Sequence, residues 1–200
     1  MSARMRAVLA RVPLLLILTR FLIAAVLIAD AVDRRLSPAF VVLFVFAVFS
    51  DYLDGFICRK IKLSSVQLSA LDGYADAMLY LSAGFCIWLV YPDVVEKYSG
   101  LLSALLLFQI ASWLFSLVRF GRITSYHTYR AKLWGVTLCL AIVEVLVRGS
   151  GIWTPLMAFA GGICIAEDMV ITTIMPYWKT GVLNIPTAYR LRQTHKALTR

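Results

Sequence analysis

Asp51, Asp54, Asp72 and Asp76 lie within the stretch DYLDGFICRKIKLSSVQLSALDGYAD, at the ends of segments that otherwise read as lipid-embedded. Asp51, Asp54, Gly55, Cys58 and Arg59 follow i, i+3, i+4, i+7, i+8 spacing, which places them on one face of a helix. Leu68, Asp72 and Asp76 recur at every fourth residue and form a second stripe. Two such helices joined by a tight basic turn would aim all the acids at one point. A carboxylate at membrane depth costs roughly 2.5–3.5 kcal/mol on insertion scales, so the cluster needs strong positive compensation. Hard oxygen ligands without accompanying His or Cys favour Mg2+ or Mn2+ over zinc, and phosphates commonly complete such a shell. The plainer reading, helix caps and headgroup-level charges, leaves the two stripes unexplained.

The stretch resembles the signature of the class I CDP-alcohol phosphotransferases, D-x2-D-G-x2-A-R-x8-G-x3-D-x3-D. Asp51, Asp54, Gly55, Arg59, Asp72 and Asp76 all fall at its spacing, with Cys58 in place of its Ala and Leu68 in place of its second Gly. The resemblance implies transfer of the substituted phosphate of a CDP-alcohol, CDP-diacylglycerol in most bacterial relatives, to a polar alcohol with release of CMP. It implies that Asp51, Asp54 and Asp72 hold metal ions, with two Mg2+ or Mn2+ per site. Asp76 is implied both as a metal neighbour and as the catalytic base for the acceptor hydroxyl, and Gly55, Cys58, Arg59 and Leu68 as the wall against the donor nucleotide. Homodimers are common in the family. The bulk of Leu68 raises a further expectation, an altered nucleotide preference.

The elements that must position these residues are apolar helices. The chain has 200 residues, 61% of them hydrophobic, a formal charge of +9 and a mean hydropathy of +0.82. That composition predicts an all-α polytopic membrane protein of one domain, with basic loops on an anionic leaflet rather than a nucleic-acid surface. Cys58, Cys86, Cys139 and Cys164 stand singly, without CxxC spacing, and read as packing residues rather than a disulfide framework or zinc site.

Residues 1–12, with Arg4, Arg6 and Arg11 among apolar neighbours, predict an interfacial amphipathic helix. Six transmembrane helices are expected over 13–175: from Leu14 to Val32, from Pro38 into the acid motif, from Leu71 to Val90, from Leu101 to Val118, from Leu133 to Val147, and from Trp153 to Met175. The first could pass for a signal peptide, but its apolar run is long for that and is broken by Arg20. Asp93, Glu96 and Lys97 predict a polar loop, and residues 176–200 a basic tail that is helical only in part. Six spans put both termini on one side, together with the Arg59 turn and the loop from Arg119 to Lys132; the positive-inside rule makes that side cytoplasmic. A bacterial inner membrane with the acid motif recessed on its cytoplasmic side is the resulting expectation. If the helix leaves the bilayer near Lys60, Asp51 lies about 13 Å deeper at roughly 1.5 Å per residue.

Other charges have two readings each. Arg20 either snorkels towards headgroups or faces the acid site and a phosphate. Asp30 and Asp33 beside Arg34 and Arg35 suggest mutual pairing in an exposed loop. Arg119, Arg122, Arg130 and Lys132 either form an acceptor-phosphate pocket or set topology, and Lys132 resembles the lysine at the entry to the fifth helix in relatives. His127 reads as a bystander. Glu144, Glu167 and Asp168 are intramembrane acids, the last two expected to pair with Arg20 or a neighbouring subunit. A divalent-cation transporter or a catalytically silent binding protein would use the same cluster, but a transporter predicts acids spread along a path to the far side.

Overall fold

The computed structural model describes residues 3–61, 66–124, 126, 128–179 and 181–198; within these, side chains are described except at 3–13, 51–61, 66–70, 72, 73 and 198. The described regular structure is helical throughout: α1 (Ala3–Ala31), α2 (Pro38–Ile61), α3 (Val66–Val90), α4 (Pro92–Lys97), α5 (Ser99–Phe120), α6 (Tyr129–Arg148), α7 (Thr154–Ile174) and α8 (Ile185–Leu198). Contacts divide the chain into a first unit, Met1–Val95 with Ile142–Ser150, and a second, Glu96–Ala141 with Gly151–Arg200.

In the first unit α1 packs on α2 and α3. Ile17, Arg20, Ala24, Leu27 and Ala31 are buried at alternating spacings of three and four, the seam by which one helix packs against neighbours. Phe40, Phe44 and Ala47 of α2 and Ala75, Leu79, Ala83 and Cys86 of α3 are buried at similar spacings. The alanines allow the close backbone approach that stabilises helix pairs in lipid. Leu15, Leu18, Leu22 and Val26 lie exposed on α1, as an apolar solvent permits.

In the second unit α5 packs on α7, and α7 on α8. Gly161 of α7 lies against the Trp134 indole: a Cβ there would stand 2.7 Å from Nε1 and 3.1 Å from Leu105 Cδ1. Gly121 closes α5 at φ 67°, donating its N–H to the Leu117 carbonyl. Tyr126, Ile171, Met175, Val182 and Ala188 form a buried cluster beneath α8, flanked by Ile185 and Leu191. Asn184 Oδ1 accepts the Thr187 N–H at 2.9 Å and its hydroxyl at 2.7 Å, capping α8.

Several expectations change here. The separate interfacial helix over 1–12 merges into α1, which continues unbroken from Ala3 to Ala31; Pro13 forfeits one backbone hydrogen bond but need not end the helix. Among the described residues three helices are long and apolar enough to cross a membrane, the Leu14–Ala31 part of α1, α5 and α7, and the parts of α2 and α3 whose side chains are described add the apolar stretches Pro38–Ser50 and Tyr74–Val90. The expected fifth span begins earlier than its apolar run, so α6 takes in Arg130 and Lys132 as well as Glu144. The polar loop after Pro92 is the short helix α4. Asp30 and Asp33 accept hydrogen bonds from Ser37 and from the Arg35 backbone N–H, so they shape a turn instead of forming the expected loop ion pairs.

Candidate active site

The backbone of both acid-bearing stretches is helical, Asp51 to Arg59 within α2 and Leu68 to Asp76 within α3. The spacing argument therefore applies to real helices: each set of residues shares a face. The side chains of Asp51, Asp54, Cys58, Arg59, Leu68 and Asp72, and the surroundings of Gly55, are not among those described, and among the described residues no cluster of metal-ligating side chains is assembled.

Asp76 is described, and a partner for it comes from α1. The Arg20 guanidinium Nη1 donates to Asp76 Oδ1, joining residues 56 apart in sequence. The Arg20 side chain is 0% exposed and that of Asp76 33%. Snorkelling is thereby excluded, since the guanidinium is held inside the helix cluster. Its neighbours on the seam are Ile17 and Ala24, with Ala75 and Leu79 flanking Asp76 on α3, all buried. Phe44 meets Tyr80 edge-on, with ring centroids 6.0 Å apart, one turn beyond Asp76. Pairing with a carboxylate offsets the desolvation of an arginine in such surroundings. The donor set of the motif, four carboxylates from consecutive helices with no sulfur or imidazole, fits a hard divalent cation.

The second unit holds most of the other candidates. Arg130 Nη1 lies 3.6 Å from Glu167 Oε1, pairing a 52% exposed side chain with a 5% exposed one. Arg130 is therefore a partner of Glu167, for which Arg20 or a neighbouring subunit was the expectation. Glu167 Oε2 and Asp168 Oδ1 are buried without hydrogen-bond partners among the described residues. Thr128, wholly buried, caps α6 by accepting the Ala131 N–H at 3.1 Å. Lys132 is exposed, its Nζ 5.7 Å from the Tyr129 ring centre.

Arg119 Nη2 donates to the Thr173 and Met175 carbonyls at 2.9 and 3.3 Å, closing the C-terminal end of α7. Arg122 stacks over Trp178 at 5.4 Å. His127 lies outside the described residues. Glu144, at the far end of α6, accepts the Ser150 hydroxyl. Cys86 and Cys164 are buried and free, as packing residues should be, with Cys86 Sγ donating to the Leu27 carbonyl at 3.4 Å.

Sequence reasoning left the place of Arg20 open between two readings, although its position in the three-four pattern of buried α1 residues was a usable signal. It missed the carbonyl-capping role of Arg119 and the docking of α8. Asn184 followed by Pro186, with Ile185, Ala188 and Leu191 at helical intervals, was the signal for the latter.

A family model described as CDP-alcohol phosphatidyltransferase matches residues 10–181. No curated protein and no solved structure shows a match.

Proposed function

The chain belongs to the CDP-alcohol phosphatidyltransferase family, and from that premise we propose that it is a membrane transferase of phospholipid biosynthesis acting on CDP-diacylglycerol and a small polar alcohol. The observation that carries the reading is the complete set of motif aspartates, falling at the family spacing on helical backbone of α2 and α3.

Asp51, Asp54, Asp72 and Asp76 would hold Mg2+ or Mn2+, which when bound neutralises a diphosphate and stabilises a leaving phosphate. The protein's own part begins with Asp76, which accepts the proton of the acceptor hydroxyl. The freed oxygen attacks the lipid-linked phosphorus, the bridge to the second phosphate breaks, and CMP leaves. Gly55 provides a surface without a side chain against the nucleotide, and Arg59 a positive charge for its phosphates. Arg130 and Lys132, at the first turn of α6, are candidates for the acceptor's phosphate, being the less committed basic groups of that loop. Arg119 already serves two α7 carbonyls. The basic loops lie on the cytoplasmic face of a bacterial inner membrane, and a homodimer belongs to the same reading on family resemblance alone.

The test is release of labelled CMP from CDP-diacylglycerol by purified protein with Mg2+ or Mn2+, across a panel of acceptors including glycerol phosphate, inositol, inositol phosphate and serine. Absence of release from every pairing would sink the proposal.

A further inference from the structure

Arg20 occupies a position that helix packing alone would give to an apolar residue. Its seam neighbours on α1 are Ile17, Ala24, Leu27 and Ala31, and its side chain is as buried as theirs. Well-packed apolar residues of similar volume generally hold two elements together as well as a buried ion pair, or better. Docking α1 onto α3 therefore gives no reason for a charge at this point. What the charge does here is meet Asp76, the last acid of the motif.

We propose that Arg20 is a positioning residue of the active site, fixing the Asp76 carboxylate and lowering the affinity of the acid quartet for divalent cations. The inference rests on the functional reading above, in which Asp76 is both metal neighbour and base. Two consequences follow from electrostatics. The guanidinium fixes the orientation of Asp76 through a charge-assisted hydrogen bond, so the carboxylate meets the acceptor hydroxyl from a constant direction. The same positive charge stands beside the cation site and opposes any divalent ion entering it, an effect enlarged by low-dielectric surroundings. Occupied by two divalent ions, the quartet is electrically balanced, and Arg20 then leaves one positive charge in excess to meet the donor's diphosphate. In this role α1 forms part of the site rather than serving only as an anchor.

The two effects have opposite signs on removal of the charge, which separates this role from a structural one. Arg20→Met and Arg20→Lys in the full chain would be compared for Mn2+ binding, by the free-ion electron paramagnetic resonance signal, and for CMP release. Arg20→Met is expected to bind Mn2+ about ten-fold more tightly while kcat falls on the order of 10²-fold. Arg20→Lys, which keeps the charge but not the planar fork, should bind Mn2+ as the parent does and recover part of kcat. Weaker Mn2+ binding together with lost kcat in Arg20→Met would mean that the site had collapsed, and would overturn the proposal. Unchanged values on both axes would overturn it equally. Should methionine prevent folding, Arg20→Gln is read on the same two axes. A parent protein that releases no CMP refutes the proposed reaction, whereas the Mn2+ measurement judges the electrostatic role separately.

Discussion

Gly161 and Gly162 are adjacent on α7, yet the structure assigns opposite consequences to giving each a methyl group. At Gly161 the added Cβ would lie 2.7 Å from Trp134 Nε1, 2.9 Å from Cε2 and 3.1 Å from Leu105 Cδ1. Ordinary contacts between such atoms begin near 3.5 Å, so the indole or α7 must give way by about 0.8 Å. The indole is a rigid plane with its Nε1 buried, and cannot relieve the clash as a flexible chain end would. Overpacking of this kind costs about 1–3 kcal/mol, against which alanine returns about 1 kcal/mol through its higher helix propensity. Gly161→Ala should therefore lose up to about 2 kcal/mol. At Gly162 no atom lies within 4 Å of the added Cβ, so Gly162→Ala should gain up to about 1 kcal/mol. Thermal unfolding of the purified protein in detergent, followed by tryptophan fluorescence, reads both: a lower midpoint for Gly161→Ala and a higher one for Gly162→Ala. A Gly161→Ala midpoint at or above that of the parent would refute the packing of α7 against Trp134. Glu167 lies on the same helix, so the acceptor KM should rise with the shift if the Arg130 pair contributes to binding.

Asp76→Asn keeps an oxygen to accept from Arg20 but removes the base; CMP release should fall by at least about 10²-fold with the protein still folded, and normal turnover would remove Asp76 from that role. Leu68→Gly should lower the KM for a cytidine donor if the leucine crowds the base, and an unchanged KM would count against crowding. Arg130→Ala and Lys132→Ala should each raise the KM for a phosphorylated acceptor by about ten-fold without changing that for an unphosphorylated one; equal effects on both acceptors would remove the phosphate contact, and loss of expression would indicate a structural part for these residues.

The legible part of this protein was whatever rests on periodicity. Apolar stretches at membrane length marked α1, α5 and α7 because a helix in lipid satisfies its own backbone and needs only side chains compatible with hydrocarbon. The acid stripes could be read because helical spacing turns sequence intervals directly into shared faces. What depends on tertiary approach was hidden. That Arg119 reaches the α7 carbonyls is decided by where α7 ends against α5, 54 residues away, and no local pattern around the arginine in α5 announces it. The α8 region has polar composition, which masked a three-residue apolar face, Ile185, Ala188 and Leu191, sufficient to dock on the end of α7. Glu167 was expected to pair with Arg20 or a neighbouring subunit because it is a charge at membrane depth; the contact it makes, to Arg130, depends on how α6 and α7 approach.

The location of charge also bears on whether the acid quartet conducts cations or does chemistry. A conducting path for a divalent ion needs acids or polar groups in succession, without a fixed positive charge beside them. Glu144 is tied to Ser150 within the first unit and Glu167 to Arg130 within the second, so each has a local engagement that does not depend on a passing ion. Arg20 weighs further. An arginine wholly withdrawn from solvent cannot swing aside towards headgroups, and its charge at Asp76 repels a cation at the very acid a path would have to use. For a diphosphate the same charge is attractive. A fixed guanidinium at Asp76 thus opposes permeation of metal ions there while favouring an anionic group held beside it, the electrostatic pattern that phosphoryl transfer would use.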